Sequence, residues 1–332
     1  MKKAPLIFVV LAFQLSAAAA AGSATSSSAA APVPGESDFI LKTASGDLHG
    51  TLTLPDGRQK PPVVLIIAGS GPTDRNGNAS SKGINTNMYK MLADSLSLKG
   101  IASLRFDKRG IGESKAAMTA ESDMKFEDYI NDACALIAKL KTDNRFSRVI
   151  VLGHSEGSLI GMIAAARAKA DAYISVAGAG ERLDKTLEQQ LQAQSPAMAA
   201  EATVLLDSLA KGYTVRQPTG VLQSLFRTSI QPYLISLLQY DPQTEIGKLT
   251  IPVLLIQGTT DLQVGLADAR ALKKAKPDAT LKEIDQMNHI FKHAPADRTE
   301  NISTYNKPDL PIMAEPVEDI EAFIQTIFHY SL

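Results

Sequence analysis

The sequence is poor in cysteine: Cys134 is the only one among 332 residues. An intrachain disulfide needs two cysteines, so none can form, and a cysteine-based metal site is excluded as well. Cys134 shares the helical spacing of Ile130, Ile137 and Leu140, which is typical of a side chain turned toward a core. We therefore expect a buried thiol rather than a reactive one.

An excess of basic charge is also missing. Lys and Arg number 34 against 35 for Asp and Glu, and the formal net charge is -1. A protein that binds nucleic acid needs surplus positive charge to neutralise the phosphate backbone. Nucleic acid is therefore not an expected partner.

Long hydrophobic runs are absent too. The nearest candidate, Leu6–Leu15, is shorter than the roughly 20 residues that a membrane-spanning helix needs. Two lysines precede it and the small residues 17–21 follow, an order typical of a cleavable secretory signal. We expect residues 1–21 to be a signal peptide and residues 22–35, rich in Ala, Ser, Thr and Pro, to be a flexible linker. The mature protein would then be exported, periplasmic or extracellular, with no stable membrane insertion after cleavage.

The rest of the chain alternates between two patterns. Apolar runs without a polar alternation predict strands buried on both faces. They are Val63–Ile67, Ile101–Phe106, Val149–Leu152, Tyr173–Val176 and Val253–Ile256. Helical patterns follow them: Met88–Leu98, Phe126–Leu140, Ser158–Ala170, Ala267–Lys274 and Val317–Phe328. A hairpin of Phe39–Thr43 and Leu48–Leu54 precedes these runs, and a last strand is expected at Thr280–Ile284. This order predicts an α/β fold with a mostly parallel sheet and helices on both faces.

The alternation is interrupted once, between Gly180 and Lys248. About seventy residues there contain no buried-strand run, which is too long for a loop. Helical patterns occur at Leu183–Leu191, Ala197–Leu209 and Val221–Leu238. We expect residues 181–248 to form a helical cap, inserted between strands 6 and 7 of a core made of residues 36–180 and 249–332. Some of its apolar side chains, for example Phe226, should line a substrate pocket.

The strongest chemical signal is Gly153-His154-Ser155-Glu156-Gly157, which fits G-x-S-x-G between a strand and a helix. In this context the motif forms a sharp turn that exposes the serine at a helix N-terminus, where developing negative charge is stabilised. Ser155 is therefore the predicted nucleophile. His154 is a rival base, but adjacent residues on so tight a turn point apart, so a structural role is favoured for it.

A serine nucleophile needs a histidine base and an acid that orients the base, and after this turn they follow in the order acid, then histidine. His289, after the last strand, is the predicted base. His293 and His329 are ranked behind it. Asp261, in Gly258-Thr259-Thr260-Asp261 directly after strand Val253–Gln257, is the predicted acid, because ligand chemistry collects at the carboxyl ends of parallel strands. Asp268 and Asp285 are the alternatives.

The serine also needs N–H groups that bind the oxyanion. One is the backbone N–H of Glu156, the residue after the nucleophile. The other should come from the loop after the first buried strand, Ala68-Gly69-Ser70-Gly71-Pro72. We assign it to the backbone N–H of Ser70, with that of Gly71 as the alternative.

Together these segments resemble a known family. IAGSGP (67–72), RFDKRGIGES (105–114), GHSEG, GTTD and NH are similar to the α/β-hydrolase superfamily over Phe39 to Phe328. GSGPTDRNGN (69–78) with GHSEG resembles the EstD-type bacterial carboxylesterases, a group close to the serine aminopeptidase-like hydrolases. One departure is Ala68, where many relatives have His. The Asp107-x-Arg109-Gly110 pattern implies structural bracing through ion pairs, and Asp74-Arg75 is expected to act similarly.

The resemblance implies hydrolysis of small-molecule acyl esters without a metal or organic cofactor. An aminopeptidase, amidase or thioesterase would use the same machinery. An aminopeptidase would need a carboxylate to hold the substrate amine, and Glu188, Glu201 and Asp207 are available in the cap. A catalytically silent binding protein is a more distant alternative.

Overall fold

The structure, a computed structural model, describes residues 35–57, 59–118 and 120–328. The predicted signal peptide, residues 22–34 of the linker and His329 lie outside these residues. Within them, no helix combines the length and the apolarity needed to cross a membrane.

The core of the fold is one eight-stranded sheet. Its strands are β1 (Glu36–Thr43), β2 (Gly46–Thr53), β3 (Val63–Ile67), β4 (Ala102–Phe106), β5 (Val149–His154), β6 (Ala172–Val176), β7 (Val253–Gly258) and β8 (Thr280–Ile284). They lie in the order β1-β2-β4-β3-β5-β6-β7-β8. β2 pairs antiparallel with β1 and with β4, and all other neighbours are parallel. The predicted mostly parallel sheet is confirmed.

The sheet divides the interior into two apolar layers. All five residues of β3 are buried. Val63, Leu65 and Ile67 lie in one apolar cluster, whereas Val64 and Ile66 lie in the other. Since successive side chains of a strand point to opposite faces, a strand covered on both sides must be apolar at every position.

Helices cover both faces of this sheet. They are α1 (Met88–Leu98), α2 (Phe126–Lys141), α3 (Glu156–Arg167), α4 (Leu183–Gln192), α5 (Pro196–Ala210), α6 (Gln231–Leu237), α7 (Pro242–Gly247), α8 (Leu266–Ala275), α9 (Arg298–Ser303) and α10 (Glu315–Phe328). α1 and α10 bury their apolar faces in one cluster, and α2, α3 and α8 bury theirs in the other. Cys134 on α2 is half-buried, and burial raises the pKa of its thiol.

The helical segment, residues 181–248 between β6 and β7, contains α4 to α7. The single helix predicted over Val221–Leu238 is wrong. The structure has short 3-10 turns at Gly220–Gln223 and Thr228–Ile230, and α6 begins only at Gln231. Pro232 is the reason, because proline lacks the N–H that a helix interior requires and its ring clashes with the preceding turn, so it fits only near a helix start.

Candidate active site

A strained turn presents Ser155. β5 ends at His154 and α3 begins at Glu156. Ser155 between them has φ 56 and ψ -122, a region that side-chain-bearing residues rarely adopt. A Cβ on Gly153 would lie 2.2 Å from the Gly157 carbonyl oxygen, and one on Gly157 would lie 2.3 Å from the carbonyl oxygen of β3 residue Ile67. Both motif glycines are therefore required sterically for this turn.

Asp261 and His289 form a buried pair beside this turn. Nδ1 of His289 lies 2.7 Å from Oδ2 of Asp261. Oδ1 of Asp261 accepts hydrogen bonds from the backbone N–H groups of Gln263 at 2.7 Å and Val264 at 3.1 Å. Because Nδ1 donates to the carboxylate, Nε2 is the ring nitrogen that can accept a proton.

The surroundings keep Asp261 ionised. Burial by itself disfavours the charged carboxylate. The charge and hydrogen bond of His289, together with the amides of Gln263 and Val264, outweigh burial and lower the pKa of Asp261 below its ordinary value. An ionised carboxylate at Nδ1 is what fixes the tautomer of a histidine base.

The rival residues lie elsewhere. His293 and Asp285 are exposed, and Asp285 accepts a hydrogen bond from Thr259. The carboxylate of Asp268 accepts from the backbone N–H groups of Gly180 and Gly265 at the start of α8. None of the three contacts His289 in the way that Asp261 does.

His154 is fully buried in a hydrogen-bonded chain. The N–H of Gly69 donates to the Tyr89 hydroxyl at 3.0 Å, and this hydroxyl lies 2.7 Å from Nδ1 of His154. Nε2 of His154 lies 2.9 Å from the carbonyl oxygen of His289. A carbonyl can only accept, so Nε2 carries the proton and Nδ1 accepts from Tyr89. Burial, aided by the nearby His289 ring, lowers the pKa of His154 to about 3, so this imidazole is neutral.

The loop after β3 lies against the turn of Ser155. The structure gives the backbone N–H groups of Ser70 and Glu156 no acceptor within the residues it describes. The carbonyl oxygen of Gly69 accepts a 2.6 Å hydrogen bond from Nζ of Lys108. Nζ also lies 3.4 Å from Oε2 of Glu156, whose Oε1 accepts from the Tyr233 hydroxyl at 2.8 Å.

Two clefts meet at Ser155. Both are lined by Ser70, Ser155 and Gln263. The first cleft extends under the helical segment and is otherwise lined by Glu156, Leu159, Ala179, Glu181, Leu183, Thr186, Leu237, Tyr240, Pro242, Val264 and Asp268. The second cleft extends along the 69–89 loop, and its lining includes His154, His289, Ile290, Met88, Tyr89 and Tyr305.

The first cleft corrects one expectation about the helical segment. Phe226 is fully buried and does not line the cleft, whereas Leu183, Leu237 and Tyr240 of the helical segment do. Glu188, Glu201 and Asp207 are not among the lining residues either, whereas Glu181 is.

The comparison with protein families decides the relationship. The family model described as serine aminopeptidase, S33, matches residues 83–293, more than half of the 332 residues. The chain belongs to this family. The S33 match spans the turn of Ser155, the whole helical segment and the Asp261–His289 pair.

One sequence relative and two solved structures are similar to the chain. This S33 protein is 31% identical over 257 residues to esterase EstD of Thermotoga maritima, a match that covers 74% of the chain and 58% of EstD. Among solved structures, Est1E from Butyrivibrio proteoclasticus has a TM-score of 0.56 at 17% identity, covering 88% of the chain and 99% of Est1E. The esterase domain of a Rhodothermus marinus protein has a TM-score of 0.55 at 15% identity, covering 88% and 98%. The predicted α/β-hydrolase fold is confirmed.

Ion pairs brace the loops of this S33 protein. Asp107 accepts from the backbone N–H, Nε and Nη2 of Arg75. Nε of Arg109 donates to Asp132 at 2.7 Å. Asp74 accepts from two backbone N–H groups of its own loop. This arrangement agrees with the bracing expected from the sequence.

Sequence reasoning missed Lys108, Tyr89 and Tyr233 as neighbours of the S33 site. Lys108 stands inside the recognised Asp-x-Arg-Gly pattern, but a lysine between two charged residues resembles a solvated side chain. The only sequence signal was that Lys108 directly follows an apolar strand pattern that ends at Phe106, and this signal is weak. Their contacts join the loop after β4, and helices α1 and α6, to the turn, which no local pattern reveals.

Proposed function

We propose that the protein is a serine hydrolase that cleaves carboxylic esters through an acyl-enzyme on Ser155. One observation carries the proposal: His289, oriented by the ionised Asp261, lines the same cleft as Ser155 on its strained turn. A binding protein has no need for this combination. The relationship to EstD supports the ester bond as the one cleaved.

In this mechanism Nε2 of His289 takes the hydroxyl proton of Ser155 as the serine attacks the ester carbonyl. The N–H groups of Ser70 and Glu156 bind the oxyanion. We favour Ser70 over Gly71 because Ser70 lines both clefts beside Ser155, whereas Gly71 lines only the second. His289 then protonates the leaving alcohol, and water cleaves the acyl-enzyme by the same route.

The two clefts suggest how an ester lies across the serine. The proton must pass from His289 to the leaving oxygen, so the leaving group belongs on the side of His289, in the second cleft. The acyl chain then enters the first cleft, beneath Leu237 and Tyr240. The helical segment 181–248 would thereby act as a cap that selects acyl length.

The proposal is tested with a fluorophosphonate probe and 4-nitrophenyl esters. Wild-type protein should be labelled at Ser155 and hydrolyse the esters. Ser155→Ala should fold normally, escape labelling and lose at least about three orders of magnitude in kcat. Ester turnover near the wild-type rate in Ser155→Ala would refute the assignment.

A second candidate is an aminopeptidase, and one observation favours it. Glu181 lines the first cleft, and a carboxylate there would pair with the ammonium group of an aminoacyl substrate. Aminoacyl 4-nitroanilides, compared with acyl esters and acyl-CoA thioesters, separate the candidates. If the protein is an aminopeptidase, Glu181→Gln should raise KM for aminoacyl substrates and leave ester hydrolysis unchanged.

We also propose that the protein acts after export, on the basis of the N-terminal pattern described above. N-terminal sequencing of the protein recovered from outside the cytoplasm tests this. A chain that begins at Met1 there would contradict it.

A further inference from the structure

Lys108 is a buried cation at the edge of the site. Its side chain is 1% exposed. Nζ lies 2.6 Å from the Gly69 carbonyl oxygen, 3.4 Å from Oε2 of Glu156 and 4.8 Å from the centre of the Tyr129 ring. Burial lowers the pKa of Lys108, and Glu156 opposes that effect. Burying a lysine side chain costs free energy unless its Nζ is well bonded, so the groups that Nζ contacts indicate its role.

The acceptor of Lys108 belongs to a particular peptide unit. The carbonyl of Gly69 and the N–H of Ser70 are the two polar groups of one peptide bond. The described residues contain no cis peptide, so this carbonyl and this N–H point in opposite directions. A cation fixed to the carbonyl therefore fixes the direction of the N–H. It also withdraws electron density through the amide and strengthens the N–H as a donor.

The same cation is held by the residue that supplies the other N–H. The carboxylate of Glu156 lies between Nζ of Lys108 and the hydroxyl of Tyr233. Glu156 begins α3, and Tyr233 belongs to α6 of the helical segment. The cluster thus ties the loop after β3 to α3, the helix that begins directly after Ser155.

We propose that Lys108 is a positioning residue, which orients and polarises the Gly69–Ser70 peptide so that the Ser70 N–H binds the oxyanion. This inference rests on the proposed serine hydrolase function. Lys108 does not touch the substrate. It acts through the peptide, so its effect should appear where the oxyanion has formed and not in the binding of the neutral ester.

The primary test is Lys108→Met, which keeps most of the volume and removes the charge. Loss of a complete oxyanion donor costs about 10²–10³ in kcat, so weakening one should cost about 10–100-fold. KM for 4-nitrophenyl butyrate should change by less than about threefold. Affinity for an alkyl trifluoromethyl ketone, whose adduct carries an oxyanion, should fall by the same factor as kcat. A kcat within about twofold of wild type would overturn the proposal.

A double variant separates this effect from a disturbed ion pair. If Lys108→Met harms only by leaving Glu156 as an unpaired buried carboxylate, adding Glu156→Gln should restore kcat. If Lys108 acts on the peptide, Lys108→Met/Glu156→Gln should stay as slow as the single variant. The double variant buries no unpaired charge, so it should fold even if the single one does not.

A matched control removes another buried lysine. Lys276 is 8% exposed, pairs with Asp278 and lines neither cleft. Lys276→Met should keep both kcat and inhibitor affinity. Fluorophosphonate labelling of the wild type distinguishes a failure of the proposed serine hydrolase function from a failure of the role of Lys108. An unlabelled wild type refutes the serine hydrolase itself, whereas a labelled wild type with an unimpaired Lys108→Met refutes only the role of Lys108.

Discussion

Asp261→Asn replaces one oxygen by NH₂ in the pair that orients the proposed base. The carboxylate serves two sides, with Oδ1 accepting from two backbone N–H groups and Oδ2 facing His289. An asparagine side chain has one acceptor oxygen and one donor group, so it cannot accept on both sides. The outcome depends on which side keeps the oxygen.

The backbone decides the orientation. The N–H groups of Gln263 and Val264 cannot turn away, and each would cost about 1–3 kcal/mol if left buried without an acceptor. The oxygen therefore faces them and the NH₂ faces His289. Gln257 opposes this orientation, because its Nε2 donates to Oδ2 of Asp261 at 3.2 Å and is held in place by a 2.8 Å hydrogen bond to the Val264 carbonyl oxygen. This is one long side-chain donor against two backbone donors, so the backbone still sets the orientation.

The substitution changes the tautomer of His289. With a donor opposite Nδ1, that nitrogen must accept, and the proton moves to Nε2. A protonated Nε2 cannot take the proton of Ser155, so kcat should fall by a factor on the order of 10⁴, or about 5.4 kcal/mol in activation free energy. The measurement is kcat for 4-nitrophenyl butyrate, with circular dichroism to verify the fold.

The control is Asp285→Asn, at an exposed carboxylate two residues before the buried Met287. It should keep kcat within about twofold, as expected of a surface substitution away from the site. If Asp261→Asn keeps kcat within tenfold of wild type, or if Asp285→Asn or Asp268→Asn causes the large loss instead, the acid has been assigned wrongly.

Three further predictions concern other residues. His289→Ala should lower kcat by at least about 10³, whereas His293→Ala should be mild, and the opposite ranking in ester assays would exclude His289 as the base. Leu237→Ala should shift the acyl-length profile of kcat/KM toward longer chains, at about 1 kcal/mol per accommodated methylene, while Phe226→Leu should not; an unmoved profile in Leu237→Ala would show that the pocket is shaped elsewhere. In the unfolded chain His154 has an ordinary pKa near 6.5, whereas in the folded chain its pKa is about 3. The free energy of unfolding therefore falls by about 1.4 kcal/mol per pH unit as the pH drops from 6.5 to about 3, and this group does not reduce it above pH 6.5. His154→Gln should lessen this acid sensitivity in urea titrations, and equal slopes would contradict the buried neutral imidazole.

The strands and the turn of Ser155 could be predicted because their causes are local. A run such as Val63–Ile67 has no polar residue to place toward water, so it must be covered on both faces. Gly153 and Gly157 are dictated by backbone contacts of the turn itself. The proximity of Asp261 and His289 could be predicted because both follow strands that end at one edge of the sheet, while their catalytic roles stay predictions.

The helical segment could not be predicted as well. Its apolar residues serve both packing within the segment and the cleft, and spacing alone does not distinguish the two uses. Phe226 and Leu237 are similar in sequence terms, yet only Leu237 reaches the cleft. Pro232 indicates a helix start near residue 231, but the apolar spacing continues across it and favoured one longer helix.

Lys108 was beyond local reasoning for a different reason. Its partners Gly69 and Glu156 are 39 and 48 positions away in the chain. They come together only because β3 lies between β4 and β5 in the sheet. The order of strands in the sheet therefore brings these residues together, and the sequence pattern of a single segment does not predict that order.

The helical segment leaves the sheet and returns to it at nearly the same place. Nε2 of Gln243 on α7 donates to the carbonyl oxygen of Gly180 at 2.8 Å, and the N–H of Gly180 donates to Asp268 at 2.9 Å. Because departure and return are joined, the intervening length is not constrained by the strands on either side. Gly180 and Gln243 therefore mark the ends at which this stretch would be exchanged with β6 and β7 kept in register, if the proposed acyl selectivity is to be transplanted onto this scaffold.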